Sequence, residues 1–229
     1  MKPKQIGLLA QEPDESLFLA LSEGMARILE NADRLWMAAE SLNATDTVTA
    51  GLILQTVAEE EAAKYLMLLD AARCERSRLG PHLGRFYSHL ARGLYVEACH
   101  WRTATYAEHL ALIDSNRRTL YLDGPNDVDW IFRNSILSQR EDSFYVDYVE
   151  SEDGRRWLSP ADSSLASLGP DPDLRSDIID LVHALDDAGY SSPSALSIVA
   201  DTWRVVVLPR SLHHAHIREL ALEVAMGLT

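Results

Sequence analysis

Hydrophobic positions recur with helical spacing along the first third of the chain. Between residues 14 and 42 they alternate in steps of three and four, which predicts one long amphipathic helix with Asp14 as its N-cap. A short polar break follows, and the pattern resumes in a second predicted helix that is capped by Asp46 and ends near Arg73. Because so few residues join them, these two helices must lie antiparallel.

Two further helices are predicted in the middle of the chain. Gly80 and Pro81 interrupt the pattern, and a third helix is expected from His82 to about Leu120. A turn rich in Asp, Gly, Pro and Asn then precedes a fourth helix over residues 127–141. The four segments predict an antiparallel four-helix bundle, so the fold class is all-α.

Beyond the bundle the pattern changes. Residues 144–158 (FYVDYVESEDGRRWL) combine aromatic and β-branched positions around a polar centre, which is typical of a small hairpin arm. Residues 159–173 are rich in Ser, Pro, Asp and Gly and are interpreted as a linker. Three shorter helices are predicted after it, at 173–187, 193–207 and 211–226. We therefore divide the chain into a bundle with its arm, 1–160, and a linker with a C-terminal helical extension, 161–229.

Three consecutive glutamates lie inside the second predicted helix, in the segment VAEEEAAKYL. At 100° per residue, Glu61 falls on the same side as the apolar positions, where a carboxylate is costly unless it is paired. Glu60 lies at the margin of that face, four residues before Lys64, so these two are predicted to pair. Glu59 is predicted to point to water.

The composition narrows the classes of function. The 229 residues include 35 acidic and 21 basic residues, and the net charge of −14 argues against broad electrostatic adhesion to nucleic acid or anionic membranes. A site for RNA needs only a local basic patch. Cys74 and Cys99 form no CxxC pair and the start does not resemble a signal peptide, so a cytoplasmic location is expected. No apolar run approaches the roughly 20 residues of a membrane span, so no membrane partner is expected.

Metal chemistry has weak support in the residues. A di-iron bundle needs two Glu-x-x-His motifs, and the sequence contains one such tetrad, from Glu97 to His100. His213, His214 and His216 lack a further ligand at a suitable spacing. We therefore expect neither a metal nor a cofactor. Stoichiometric metal in the purified protein would contradict this expectation.

The richest stretch of basic residues runs from Arg73 to Arg102. Within it, Arg85, His89 and Arg92 are spaced by four and three residues, which places them on one helix face. Such a face has the groups for metal-independent RNA cleavage, in which histidine moves the 2′-OH proton and arginine stabilises charge on the phosphate. The spacing alone favours another interpretation, in which His89 hydrogen-bonds a glutamate of VAEEEAAKYL and the arginines lie on the surface.

Several segments, taken in order, resemble one protein family. They are NADRLWMAAESL, the Glu60-Glu61-x-x-Lys64 signature, FYSHLARGL, and FYVDY followed by RRWLSP. Their order and spacing resemble the AbiV-type abortive infection proteins over about residues 24–160. That family is grouped with the HEPN superfamily. The resemblance implies a HEPN-like, mostly antiparallel four-helix core, usually dimeric, often with RNase activity and a role in phage defence.

The resemblance also implies roles for particular residues. It carries over to the following positions: Asn31, Glu60, Glu61, Lys64, His89, Arg92 and residues 145–147. The first four would form a structural polar network, in which Glu61 orients His89 or a basic residue of the adjacent helix.

The catalytic element of the superfamily is an arginine followed, after four to six residues, by a histidine. Arg133 and Asn134 begin in this way, but Ser138 stands where the histidine is expected. Only three residues separate Arg85 from His89. The sequence therefore departs from the superfamily pattern, and both an active and an inactive protein remain open.

Two hypotheses follow from these observations. The first is an abortive-infection effector that acts as a metal-independent RNase, with His89 as acid/base and Arg85, Arg92 and Arg133 as phosphate contacts. The second is a catalytically inactive interaction protein that senses or binds a phage or partner protein. The expected partners are a second copy of the chain, RNA, and a phage or inhibitor protein.

Overall fold

The described part of the chain is mostly helical. The computed structural model describes residues 5–43, 48–100, 144–151, 154–160 and 176–205. In chain order the elements are a 3₁₀ segment at Ile6–Gln11, α1 at Asp14–Asn43, α2 at Val48–Arg73, α3 at Arg76–Gly84, α4 at His89–His100, β1 at Asp147–Ser151, β2 at Gly154–Leu158, α5 at Asp177–Asp187 and α6 at Pro193–Trp203. The all-α prediction is confirmed. None of these helices is both long and apolar enough to cross a membrane.

Several predicted elements lie outside the described residues. They are the third helix beyond His100, the fourth helix over 127–141 with Arg133, most of the linker over 159–173, and the last helix over 211–226. These remain predictions. The same holds for the division of the chain at residue 160.

α1 buries a single stripe, as its periodicity predicted. Seven of its nine buried side chains recur every three or four residues: Leu17, Leu21, Met25, Ile28, Ala32, Trp36 and Ala39. The other two, Phe18 and Leu29, widen the stripe. Leu19 and Met37 lie on the opposite side and are more than half exposed. The predicted range of 14–42 differs from the observed helix by one residue, because a long amphipathic pattern is the strongest local signal for a helix.

Asp14 does not have the role that the sequence predicted. It is the first residue of α1 and not its cap, since the Pro13 carbonyl accepts the first helical hydrogen bond from the Leu17 amide (2.9 Å). The Asp14 carboxylate instead accepts two bonds from Arg204 (2.6 and 3.1 Å) and lies 3.2 Å from Arg76. One carboxylate therefore ties the start of α1 to the start of α3 and to the residue after α6.

α2 is the central helix of the described fold. It packs against α1, α4, α5 and α6. Its buried residues do not form a stripe but occupy most positions of the second half: Ala58, Glu60, Ala62, Ala63, Tyr65, Leu66, Met67, Leu68, Leu69, Ala71 and Ala72. A helix that is apolar around most of its circumference is buried around most of its circumference. Polar side chains on α2 therefore need partners, either on α2 itself or on its neighbours.

The prediction of one helix starting at His82 is wrong. Pro81 lies inside α3, and the chain breaks at residues 85–88 before α4 begins. Pro81 removes one backbone donor from α3, which is held in place by its buried Leu79 and Leu83. His82 Nε2 lies 2.8 Å from the Met67 carbonyl, which accepts its hydrogen, so α3 is also tied to α2.

The hairpin arm is confirmed. β1 and β2 pair antiparallel, from Asp147 opposite Leu158 to Ser151 opposite Gly154. Tyr148 and Trp157 are directly opposite, with ring centroids 5.2 Å apart. Cross-strand aromatic pairs of this kind stabilise a two-stranded ribbon.

Two of the C-terminal helices correspond to predicted ones. α5 falls within the predicted range 173–187 and α6 within 193–207. Ser192 caps α6 by accepting a hydrogen bond from the Ala195 amide (3.3 Å), and Pro193 occupies the first helical position. Both helices pack against α1 and α2, so they cover the bundle.

The face assignment of α1 is testable with two leucines on the same helix. We expect Leu21→Ala to lower the free energy of unfolding by roughly 2–5 kcal/mol, because it leaves a cavity at a fully buried site. Leu19→Ala, at a position 56% exposed, should change it by less than about 0.5 kcal/mol. Urea unfolding followed by circular dichroism measures both. Equal effects would contradict the assignment.

The contacts of Asp14 with Arg204 and Arg76 predict that stability depends on pH. Its hydrogen bond from Arg204 is the main cause that holds the pKa of the Asp14 carboxyl below its ordinary value. A carboxyl whose pKa is lowered by folding contributes stability above its unfolded pKa of about 3.9, and the contribution is lost as the pH falls through the lower folded pKa. Asp14→Asn should therefore lower stability near neutral pH, by about 1 kcal/mol or less.

The difference between wild type and Asp14→Asn should stay constant down to about pH 5 and shrink in stronger acid. Urea titrations at a series of pH values measure it. Glu15→Gln is the matched control, since Glu15 is also in the first turn of α1 and exposed. A difference that grows in acid would refute the role of Asp14.

Candidate functional site

A buried carboxylate meets the start of α4 on the side of α2. Glu60 is 7% exposed. Its Oε2 atom lies 2.8 Å from His89 Nδ1 and 3.2 Å from Arg92 Nη1. We call Glu60, His89 and Arg92 the Glu60 triad. In this cluster, one buried anion is shared between a histidine and an arginine of the neighbouring helix.

The local sequence explains why both α4 residues reach Glu60. Ser88 caps α4, because its hydroxyl accepts a hydrogen bond from the Ala91 amide (3.3 Å) and its carbonyl accepts one from the Arg92 amide (3.1 Å). The cap makes His89 the first residue of the helix. Arg92 follows three residues later and therefore lies on the same face.

Two contacts bear on the tautomer of His89. Glu60 Oε2, 2.8 Å from Nδ1, can only accept a hydrogen bond, whereas Arg92 Nη2, 3.0 Å from the same nitrogen, can only donate one. Because the contact with the carboxylate is the shorter one, we assign the hydrogen to Nδ1, which donates it to Glu60. In the neutral ring, the lone pair then resides on Nε2. The His89 side chain is 48% exposed, whereas that of Glu60 is 9% exposed. In the triad, Nδ1 of His89 is thus held by Glu60, and Nε2 is the ring nitrogen that can accept a proton.

Arg92 is held on several sides. Its guanidinium donates to Glu60, and its Nη2 lies 3.0 Å from His89 Nδ1 and donates to the Tyr87 carbonyl at 3.4 Å. The side chain is 11% exposed. Its positive charge balances the buried carboxylate and lies beside the imidazole, while its polar atoms are engaged within the protein.

Two of the three glutamates of α2 have contacts that differ from those predicted, whereas Glu60 has the histidine partner that one interpretation of the sequence offered. Lys64 pairs with Glu61, where the sequence predicted Glu60 as its partner. The Lys64 ammonium also lies 5.7 Å from the ring centroid of Phe86, in the turn before α4. Glu59 was expected to point to water, but it accepts a hydrogen bond from the Ser176 hydroxyl (2.7 Å). Glu60, predicted at the margin, is the buried one because α4 packs over that side of α2.

Other predicted site residues are not joined to the triad by the described contacts. Asn31 accepts a hydrogen bond from Arg34 on its own helix (3.4 Å). Arg85 is exposed at the end of α3. Tyr145 is 54% exposed at the start of the hairpin arm. Arg133 lies outside the described residues.

A second polar cluster links α2 to α4 below the triad. The Tyr95 hydroxyl donates to Asp70, which also pairs with Arg73. Burial is the main cause that raises the pKa of Tyr95 well above its usual value, and the Asp70 carboxylate raises it further. Burial likewise raises the pKa of the Cys99 thiol to about 12. Neither group is therefore ionised at neutral pH, and both serve packing.

The described residues contain no group of three His, Cys, Asp or Glu side chains placed to hold a metal ion. Of the motifs considered for metals, His213, His214 and His216 lie outside the described residues. The prediction on metals is thus left to direct measurement.

Sequence reasoning missed two residues that shape the site. Ser88 was overlooked as a cap, although a serine directly before a periodic apolar segment is a known signal for a helix start. Phe86, 8% exposed, anchors the turn before α4 in the core, whereas the sequence pattern placed it near the start of a longer helix. Both errors came from placing the break at Gly80 and Pro81 and not at residues 85–88.

The protein belongs to the class of all-α helical bundles. Its candidate site is a glutamate, a histidine and an arginine that cluster on two adjacent helices. Within that class, the family model for HEPN-type proteins that is described as AbiV matches residues 20–168. Since the match covers more than half of the chain, the chain belongs to this AbiV family of abortive-infection proteins. No curated protein and no solved structure was found to match the chain significantly.

The different roles of neighbouring glutamates are testable. We expect Glu60→Gln to lower the free energy of unfolding by about 1–3 kcal/mol, because it removes the charge that Arg92 and His89 bind in a buried position. Glu61→Gln should cost at most about 1 kcal/mol, since its partner Lys64 lies on the same helix. Chemical unfolding measures both. A larger effect at Glu61 would refute the assignment of the buried anion.

Proposed function

We propose that this protein is an abortive-infection effector that cleaves RNA without a metal ion, with His89 as the acid/base group. The observation that carries the proposal is the contact between Glu60 and His89 Nδ1, made by an imidazole whose side chain is about half exposed. A carboxylate that holds one imidazole nitrogen and leaves the other to accept a proton is a recurrent arrangement in acid/base catalysis.

The proposed reaction is an internal transfer within RNA. His89 Nε2 accepts the proton of a ribose 2′-OH while the 2′ oxygen attacks the adjacent phosphorus. The bond between phosphorus and the 5′ oxygen breaks, and the imidazolium returns its proton to that leaving oxygen. The products are a 2′,3′-cyclic phosphate and a 5′-hydroxyl end, so atoms and protons balance. Glu60 stabilises the imidazolium that forms between the two proton transfers.

Positive charge around His89 supports binding of the phosphate. Arg85 is exposed in the preceding turn, and we assign it to direct phosphate contact together with Arg133. Arg92 is engaged by Glu60, so it acts on the phosphate by its charge beside the imidazole. The N-terminus of α4, at which His89 stands, adds a favourable potential for an anion.

A second candidate function is favoured by the burial of Arg92. With 11% of its side chain exposed and its donors directed to Glu60 and Tyr87, the arginine serves well as a cross-link between α2 and α4. The triad would then be structural, and the protein would act in the cytoplasm by binding a second copy, a phage protein or an inhibitor. This alternative predicts that loss of His89 lowers stability and that no RNA is cut.

The proposed RNase function is tested with His89→Ala. We expect wild type to cleave total RNA in excess chelator and His89→Ala to be slower by roughly 100-fold or more, since a positioned acid/base group contributes that much. His183→Ala is the matched control. His183 also binds a carboxylate, with its Nε2 atom 2.7 Å from Asp33 Oδ1, but it joins α5 to α1 and not α4 to α2.

Thermal melting of each variant separates loss of chemistry from loss of folding. Cleavage that persists in folded His89→Ala would overturn the role of His89, and cleavage that stops with chelator would overturn the metal-independent reaction. A wild type that leaves RNA intact, together with a large drop in the melting temperature of His89→Ala, would favour the interaction protein.

A further inference from the structure

α4 meets polar side chains of α2 at two points. Near its start, His89 and Arg92 bind Glu60. Three residues after Arg92, and therefore on the same face of α4, the Tyr95 hydroxyl donates a hydrogen bond to the Asp70 carboxylate. At 1.5 Å per residue, Tyr95 lies about 9 Å from His89 along the helix axis. Two polar contacts at this separation fix the direction in which α4 crosses α2, whereas one contact fixes only a point.

Asp70 is itself held by the last residue of α2. The Arg73 guanidinium donates to the Asp70 carboxylate, which therefore accepts hydrogen bonds from Tyr95 and Arg73 together. The side chains of Asp70 and Arg73 are 17% and 23% exposed, so water screens their attraction only in part. Burial keeps the pKa of the Tyr95 hydroxyl well above its usual value, so this tyrosine retains the hydrogen that it donates.

The C-terminal helices reach the same cluster through Trp203, the last residue of α6. The Arg73 guanidinium lies over the Trp203 ring, 5.4 Å from its centroid, which is within the range of a cation–π contact. The next residue, Arg204, binds the Ala72 carbonyl and the Asp14 carboxylate, so the end of α6 is fixed against α2 and α1. A continuous series of contacts thus joins α6 to α4, in the order Trp203, Arg73, Asp70 and Tyr95.

The chemistry proposed for His89 depends on the direction of α4. Cleavage requires Nε2 to align with the 2′-OH of a nucleotide whose phosphate is bound by Arg85, which belongs to the preceding turn and not to α4. A change in the direction of α4 moves the imidazole relative to that phosphate. Because a displacement of about 1 Å can cost roughly 100-fold in rate, a contact that fixes α4 far from His89 still affects the reaction.

We propose that Asp70 is a positioning residue that couples α6 to α4, so that the C-terminal helices set the orientation of His89 for RNA cleavage. This inference rests on the proposed RNase function. It gives the helices that follow the family segment a role in the site, beyond covering α2. The coupling itself is a property of the fold and does not require RNA.

The test compares two tyrosines that each meet an aspartate. Tyr95→Phe removes the hydroxyl that binds Asp70 and keeps the ring. It should lower kcat for RNA cleavage by roughly 10- to 100-fold and leave KM close to wild type, because the helix is misdirected while the phosphate contacts remain. Thermal melting confirms that the variant is folded.

Tyr65→Phe is the matched control. The Tyr65 hydroxyl lies 3.4 Å from Asp186 at the end of α5, so it joins α2 to the C-terminal helices without involving α4. Removal of this hydroxyl also takes one polar contact from a buried tyrosine, and it should lower the melting temperature to a similar extent. It should leave kcat close to wild type.

Trp203 tests the part of the series that lies in α6. Trp203→Leu keeps a large apolar side chain but removes the ring face beneath Arg73, and it should lower kcat by roughly 2- to 30-fold, the usual range for coupling between separated sites. Trp203→Phe keeps an aromatic face and should retain most of the activity. When Tyr95→Phe and Trp203→Leu are combined, the loss should be much smaller than the product of the two single losses, since both act through Asp70.

Hydrogen exchange measures the coupling without RNA. In the full chain, Trp203→Leu should speed amide exchange in α4 by a factor similar to its loss in kcat, relative to exchange in α1. Tyr65→Phe should leave the same ratio unchanged.

The outcomes distinguish this inference from the function on which it rests. If folded Tyr95→Phe cuts RNA like wild type, or if Trp203→Phe is as slow as Trp203→Leu, the role of Asp70 is overturned and the RNase function stands. An equal loss of kcat in Tyr65→Phe would attribute the effect to general loosening of the bundle, which also overturns it. If wild type leaves RNA intact but exchange in α4 responds to Trp203→Leu, the RNase function falls and the coupling of α6 to α4 stands. If neither is observed, both fail.

Discussion

The burial of α2 is the constraint on which the rest of the structure depends. A helix in that position exposes few of its polar side chains to water, so these side chains need partners, either on α2 itself or on a neighbouring helix. Glu60 binds α4, the Tyr65 hydroxyl lies 3.4 Å from Asp186 at the end of α5, and Asp70 accepts a hydrogen bond from Tyr95. Because apolar contact is weakly directional, these polar contacts specify how each helix is rotated against α2.

The same constraint produces the candidate site. A buried carboxylate is stable only when charged or hydrogen-bonding partners surround it, and Glu60 obtains two of them from the first turn of α4. His89 enters this arrangement from the edge, so only one of its ring nitrogens is needed to satisfy the glutamate. An interaction that the fold requires thereby leaves an oriented imidazole at the surface. The structural contact in the triad and the chemical role that we propose for His89 therefore depend on the same carboxylate.

The covering of α2 extends beyond the segment that the family model matches. That match ends at residue 168, whereas α5 and α6 follow it and pack on α1 and α2. Arg204 completes this cover, since it donates to the Ala72 carbonyl near the end of α2 (3.1 Å) as well as to Asp14, and it lies over the Phe18 ring at 5.5 Å. The C-terminal helices thus help to shield α2 from solvent.

The sequence by itself determined α1, α2, the hairpin arm and the family, because these depend on local periodicity, turn residues and the order of short motifs. It also indicated His89 by its spacing, and it offered one of the neighbouring glutamates of α2 as the partner of His89. Tertiary structure decided which glutamate is buried. The rotation of 100° per residue gives only the approximate direction of a side chain around the helix axis. On a helix that is enclosed on most sides, this direction does not separate buried from exposed positions. Glu60 and not Glu61 meets His89 because of the way α4 crosses α2, and the geometry between two helices leaves no mark in the periodicity of either one.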